Sequence, residues 1–398
     1  MAAAASSDLL AGAASRVITP QKPVYLAGLK GNRLSDGVHD DLFARALLLQ
    51  QGDTTLILAG LDVIGYPRRY VLDVQNALRQ RGVPAEHVIL CSTHQHSGPD
   101  TIGIWGPSPT ETGVDPEYMD FLAGQIVEAI AEAYAARRPA NVALGVGTVP
   151  PGVVRNVRIP GYFDDALRVL RFTDAEGETI ATLVNATAHP ETLWSDNTKL
   201  TADYPQHIYR IVEQRLGGMA LFVNGALGGM VTVDARANTF EEAERIGSAV
   251  ADTAVRAARE AQPVENPTLR VQRRVFATAL DNERFRAGVA AGVIPLASDG
   301  GTFDTEVNLI RIGRAVAMAT VPGELLPKLG FWIRDAARER LGVATCFLLG
   351  LANDELGYIL AEEDFDLPLY QYERSMSVGR ALGTQVVQNL MGIMKASE

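Results

Sequence analysis

Thr55-Leu-Ile-Leu-Ala-Gly-Leu-Asp62 is an unbroken apolar run closed by an aspartate, and it reads as a strand buried on both faces. A helical stretch from about Arg68 to Gln80 follows, and then a second apolar run, His87-Val-Ile-Leu-Cys-Ser92. Strand, helix and strand in this order form a βαβ-like opening, so the sequence predicts an α/β layer architecture. The alternation continues downstream. Asp115-Pro116 supplies a cap and first-turn proline for a helix carrying Phe121, Leu122, Ile126, Ile130 and Tyr134 on one face and ending before Pro139. Leu167 to Phe172 and Thr179 to Val184, joined by a turn at Asp174 to Gly177, read as a hairpin. A helix from about Pro205 leads to the strand Ala220 to Val223, and Thr239 with Glu242 forms a capping-box signature for a helix running to about Ala261. Leu309 to Ile312 and Ala315 to Ala319 flank Gly313-Arg314 as another hairpin. No repeat, low-complexity linker or charge block interrupts the pattern, which predicts a single domain over residues 1–398.

Composition narrows the class. With 398 residues and 47% hydrophobic content the chain can bury a large core. Its net charge of -11, with scattered arginines, argues against nucleic acid as a partner, because such binding draws its affinity from clustered Lys and Arg. Cys91 and Cys346 each lie inside an apolar segment and read as small buried hydrophobes, not a disulfide framework. Met1 to Ala14 has no basic residue ahead of its short apolar patch, unlike a secretory leader, and no run approaches the roughly 18 residues of a bilayer span. The expectation is a cytoplasmic protein with no integral membrane segment; a homo-oligomer is compatible with the sequence.

The chemistry concentrates where the second run ends, in Cys91-Ser-Thr-His-Gln-His-Ser-Gly-Pro-Asp100. Side chains two apart on an extended segment share a face, so the spacing predicts that His94 and His96 point together. Neutral imidazole is the commonest transition-metal ligand, and the Ser-Gly-Pro that follows leaves the pair at the sheet rim, open to solvent and substrate. The alternative is two hydrogen-bonded histidines at the start of a loop. His189 repeats the placement, after an apolar strand and before Pro190. Three histidines at strand ends suit a catalytic metal, which takes three protein ligands and often a carboxylate among them. Glu324, in Thr320-Val-Pro-Gly-Glu-Leu325, stands after another strand; it reads either as that carboxylate or as a first-turn glutamate of a helix beginning near Leu325. Asp62 and Asp203 are strand-end or loop carboxylates suited to orienting a ligand histidine. His87 and His207 read as ordinary strand and helix residues, and His39 as a residue bordering a pocket.

These residues resemble the neutral (non-lysosomal) ceramidases, zinc-dependent amidases with a Thr-His-x-His-Ser-Gly-Pro motif. The likeness runs along most of the chain, through Ser15 to Pro20, Gly37 to Ala46, the histidine pair, His189, Pro322-Gly-Glu324, and Gly350 to Asn353 with Gly357-Tyr358, in order. It implies a ceramidase-like catalytic domain of layered mixed sheets with flanking helices, and a zinc held by His94, His189, Glu324 and Tyr358. It further implies that His96 faces the substrate, that Tyr372 in Tyr370-Gln-Tyr-Glu373 assists, and that an arginine, Arg158 rather than Arg155, contacts the scissile carbonyl. Such a zinc lowers the pKa of water toward neutrality for attack on an amide. His96 or Tyr372 then serves as donor to the developing oxyanion, and a protonated His96 can supply the leaving amine.

Two departures qualify the resemblance. The family's Gly-Asp-x-Ser-Pro-Asn element matches Gly228-Gly-Met-Val-Thr-Val233 here, so Gly229 and Val231 replace the aspartate and serine, with Thr232 a substitute candidate. The C-terminal immunoglobulin-like domain of that family is likewise not expected here. The expectation is therefore a zinc-dependent hydrolase of a non-peptide amide bond whose substrate is a small or N-acyl amide other than ceramide. Ceramide itself, and a catalytically inactive metal-binding homologue, are the alternatives. Two other readings of His-x-His fit less well: a metallo-β-lactamase expects Asp-His directly after the pair, and an amidohydrolase expects a regular eightfold barrel.

Overall fold

The computed structural model describes residues 8–296, 298 and 301–397, and in it the apolar runs become the strands of three main sheets. The two runs read first lie side by side in the first sheet, parallel, with Leu56 opposite His87 and Leu61 opposite Ser92. Phe43–Gln51 pairs antiparallel on the other side of Thr54–Leu61, followed by Leu10–Val17. Met1 to Ser7 of the Ala/Ser-rich N-terminus lie outside the described residues. Ile57, Ala59 and Leu61 pack under the helices Arg68–Gln80 and Pro116–Ala135, whereas Leu56, Leu58, Ile89 and Cys91 face an inner core. Both faces are covered, and that is why the strand shows no polar alternation.

The second sheet is ordered Met219–Asn224, Thr179–Ala186, Ala166–Thr173, Asn141–Thr148 and Gln262–Pro263. Its hairpin pairs antiparallel, as the turn residues predict, with an irregularity between Thr179 and Ala181. Tyr204–Leu216 and Phe240–Arg259 cover its outer face. The third sheet is ordered Leu269–Ala279, Thr302–Ile312, Val316–Thr320 and Thr345–Leu349, and Pro327–Leu341 and Leu382–Lys395 cover it. The inner faces meet in one cluster, with Leu47 and Leu58 from the first sheet, Leu170 and Leu183 from the second, and Ile310, Met318 and Phe347 from the third. Each such side chain contributes about 1.5–3 kcal/mol on burial. The chain is thus an α/β protein of layered mixed sheets with flanking helices. Cys91 and Cys346 are free and buried, and among the described residues no helix is long and apolar enough to cross a membrane.

Local signals set the helix starts. The Asp115 carboxylate accepts from Glu117 N and Tyr118 N, and Thr239 accepts from Glu242 N. The Glu242 carboxylate, however, takes the backbone N–H of Arg236 and pairs with Arg245, so the box is reciprocated one loop earlier than its spacing predicts.

Each main sheet contains one parallel pair: 54–61 with 87–92, 179–186 with 219–224, and 316–320 with 345–349. Parallel strands deliver their carboxyl ends to one edge, where the following loops form a crevice. Asn224 locks those loops together. Its Nδ2 donates to Thr93 O (3.0 Å) and Ala188 O (2.8 Å), its Oδ1 accepts from Ala188 N (3.1 Å), and its backbone carbonyl accepts from Gly350 N (3.0 Å). Asn353 does similar work at the sheet edge: its side chain donates to Val88 O (2.7 Å) and accepts from Leu90 N (2.8 Å), taking the place of a neighbouring strand.

Candidate metal centre

The crevice brings together residues 94, 96, 189 and 324 from three sheets. His94 and His96 do converge, with rings 4.9 Å apart and 74° between planes. Strand alternation is not the cause. The strand ends at Ser92, and His94 adopts a left-handed conformation with φ 66°, which turns its ring back toward Ile64. Left-handed non-glycine residues store strain of order 1–3 kcal/mol and tend to gather at functional sites. Trp194 (φ 58°) and Met230 (φ 59°) line the same cavity, and Leu351 and Asn353 lie in the loop below it.

Glu324 does not begin a helix. It forms a two-residue strand with Leu325, parallel to Tyr358–Ile359, and Glu324 sits directly opposite Tyr358 in that register. The helix starts only at Pro327. One short ladder therefore joins two of the side chains that the family resemblance names as ligands, 34 positions apart in the chain.

His94 Nδ1 lies 2.6 Å from Ile64 O, and His189 Nδ1 lies 2.8 Å from Val231 O. A carbonyl only accepts, so both Nδ1 atoms carry protons and each Nε2 is left to face Glu324 Oε2, at 3.5 Å from His94 and 2.9 Å from His189. Two imidazole lone pairs directed at a carboxylate require a positive species among them, a proton or a metal cation. Burial alone would strip the proton from His189; the Glu324 bond and the Glu191 charge outweigh it and hold the group up at about 9. Burial would likewise raise Glu324, but the His94 charge and the bond from His189 bring it down to about 2. His94, His96 and His189 place one ring nitrogen each within 4.8 Å of one another and could hold a metal ion. Two imidazoles with backbone-anchored Nδ1 atoms and a carboxylate are a donor set suited to zinc.

His96 differs from its neighbours. Both ring nitrogens are buried without a hydrogen-bond partner. Burial first, then the charges of His94, His189 and Arg33, hold its pKa well below the usual imidazole value. Tyr358 is buried, its hydroxyl 3.5 Å from Met230 Sδ and its pKa raised by burial and by Glu324. Tyr372 is half-exposed at the rim, its ring 5.8 Å from that of Tyr358, and burial with the nearby Glu324 and Glu191 carboxylates raises its phenol to about 12. Arg158 lines the cavity and its Nε donates to Glu373 Oε1 (2.7 Å), whereas Arg155 lies outside it near Asp234 (3.9 Å).

His94, His96, His189, Glu324, Tyr358, Tyr372 and Arg158 all line one cavity of about 560 Å³. The remaining walls are largely apolar, with Leu29, Ile64, Trp105, Trp194, Phe285 and Leu296.

No protein-family model matches the chain. Among solved structures it is similar to neutral ceramidase from Pseudomonas aeruginosa, with TM-score 0.82, 19% identity, and coverage of 98% of this chain and 75% of that one. It is equally similar to a ceramidase complexed with C2, with TM-score 0.83, 19% identity and the same two coverages. The chain has the ceramidase fold.

Within the ceramidase fold, the substituted Gly228–Val233 stretch serves the site through its backbone. Gly229 (φ 67°) and Met230 turn the chain so that Val231 O receives His189. Thr232 does not line the cavity; its hydroxyl donates to Glu191 Oε1 (2.6 Å), so it offers no free nucleophile. Asp62 and Asp203 do not orient the histidines either. Asp62 accepts from Tyr209 OH and Phe43 N, and Asp203 from Thr192 Oγ1 and Tyr204 N, so each ties strand or helix ends together; burial raises both to about 6. Backbone carbonyls orient the histidines instead. His39 stacks on Phe240 at 3.6 Å and does not border the cavity.

Sequence reading missed Glu191, Asn224 and Gly28. Glu191 was open to discovery as the acidic residue two positions after His189. Gly28 carries no local signal: at φ 99° a Cβ there would fall 2.4 Å from His96 Cγ. Gly28→Ala is accordingly expected to cut turnover about 100-fold by displacing His96, with metal content retained, since a misplacement of about 1 Å costs that much. Turnover within threefold of the parent would show that the ring accommodates the methyl group.

Proposed function

We propose that the chain is a zinc-dependent hydrolase of a non-peptide amide bond, carried by one catalytic domain, with a small or N-acyl amide other than ceramide as substrate. The observation that carries this reading is the convergence of His94, His189 and Glu324 at the floor of an apolar cavity that also presents His96, Arg158 and Tyr372. His94, His189, Glu324 and Tyr358 would hold the ion. A zinc there supplies Lewis acidity, polarising a carbonyl and making water more acidic.

The chain's own side chains do the rest. A water oxygen bonds to the carbonyl carbon, the C–N bond breaks, and the proton released by water ends on the departing amine. His96, which lines the cavity with its ring nitrogens free of hydrogen bonds, would carry that proton. The Tyr372 phenol keeps its proton at neutral pH and can donate to the carbonyl oxygen as charge builds on it; a well-placed donor of this kind contributes about 3 kcal/mol. The Arg158 guanidinium, oriented by Glu373, adds positive charge at the same wall. Apolar walls exclude competing water and strengthen these interactions.

The volume and apolar lining also favour an amide with a substantial hydrocarbon arm, and the ceramidase fold makes N-acylsphingosine the second reading. Chelator-stripped protein assayed against short N-acyl, aryl and ceramide amides tests both. The expected result is loss of hydrolysis on stripping, recovery with zinc, and preference for a non-ceramide amide. Preference for ceramide selects the second reading. Zinc binding with no turnover of any amide defeats both and identifies a binding protein.

A further inference from the structure

Resting on the hydrolase reading above, we propose that Glu191, held by Thr232, is a positioning residue that fixes the proton of His96 on Nδ1 and leaves the Nε2 lone pair for the substrate side.

Glu191 is a second buried carboxylate beside the metal centre, with only 5% of its surface exposed. Among the described residues, no lysine or arginine nitrogen comes within ion-pair distance of it; the basic group that does is His96, whose Nδ1 lies 3.3 Å from Glu191 Oε2. The other oxygen is engaged, accepting from Thr232 Oγ1 at 2.6 Å. Thr232 is in turn bridged to His189 through the backbone, so the carboxylate is anchored on a rigid element. A buried carboxylate oxygen needs a donor, and the His96 N–H is the one facing it.

His96 is held for this contact. Its backbone N–H donates to Pro190 O (3.1 Å), the residue just before Glu191, and its carbonyl accepts from Arg33 (2.5 Å). The bare Cα of Gly28 packs against the Nδ1 side of the ring. The 3.3 Å approach of Nδ1 to the carboxylate falls short of an aligned hydrogen bond, and catalytic hydrogen bonds are often long or poorly aligned before substrate binds. With the proton on Nδ1, Nε2 can accept the proton that water loses and return it to the amine nitrogen as the C–N bond breaks.

Glu191→Gln separates position from chemistry. The Gln amide oxygen still accepts from Thr232, but its NH2 now faces Nδ1, which favours the tautomer protonated on Nε2. The expected result is a fall in kcat of about 10²–10⁴, the range for a mis-set general base, with KM, zinc content and melting temperature unchanged. Nitrogen NMR of the histidine rings is expected to show His96 protonated on Nδ1 in the parent and on Nε2 in the variant. Thr232→Val, which removes one hydroxyl, is expected to lower kcat by a smaller factor in the same direction. The inference is overturned if the parent carries the His96 proton on Nε2, if Glu191→Gln leaves kcat within threefold, or if the variant loses its zinc, which would make Glu191 a metal ligand. A parent that hydrolyses no amide defeats the hydrolase reading, while the NMR result still decides the tautomer.

Discussion

His189→Ala is expected to abolish zinc retention and to lower kcat/KM for amide hydrolysis by at least about a thousandfold, equivalent to about 4 kcal/mol of transition-state stabilisation. The reason lies in both partners of the contact. The variant removes one of two backbone-anchored imidazole donors and leaves the buried Glu324 without its 2.9 Å partner. Breaking a buried ionic pair by deleting one member typically costs about 3–5 kcal/mol, so the variant must first be shown to be folded by circular dichroism. Metal analysis of dialysed protein and steady-state kinetics then check the result. A folded variant that keeps its zinc and its kinetics would remove the basis of the proposed centre.

Asn224→Ala is expected to destabilise the fold by about 3–5 kcal/mol, because each buried partner left unpaired costs about 1–3 kcal/mol. Thr93 O and Ala188 N lose the Asn224 side chain, Ala188 O is left with the Tyr204 hydroxyl alone (2.9 Å), and no solvent reaches this fully buried position. Residues 93 and 188 immediately precede His94 and His189, so activity is expected to fall beyond what the unfolded fraction explains. Urea unfolding should show a lower midpoint with an unchanged slope. A loss below about 1 kcal/mol would mean that the loops are held by their strands alone, since one hydrogen bond contributes about that much. Asn224→Asp offers no rescue, as a carboxylate cannot donate to the two carbonyls.

Much of the architecture was legible in the order of residues. Apolar runs, caps and hairpin turns are local signals, and Arg68–Gln80, Pro116–Ala135 and His87–Ser92 form where the pattern places them. The segments that carry the site were also visible, since His-x-His, His189 and Pro-Gly-Glu each follow an apolar strand. Their geometry was not. Alternation predicts a shared face for His94 and His96, yet a left-handed residue produces the convergence. The position after a strand suggested a helix start at Glu324, yet a ladder with Tyr358 claims it.

The sequence by itself therefore determined which segments are strands and helices, and which side chains with metal-binding chemistry stand at their ends, because those properties depend on neighbours a few positions away. Only the tertiary structure decided that carbonyls of Ile64 and Val231 orient the histidines, that Thr232 serves Glu191, and that Asn224 joins three loops. Those contacts link residues about 30 to 130 positions apart, and hydrogen bonds of that span are set by how three sheets pack, which no local pattern encodes.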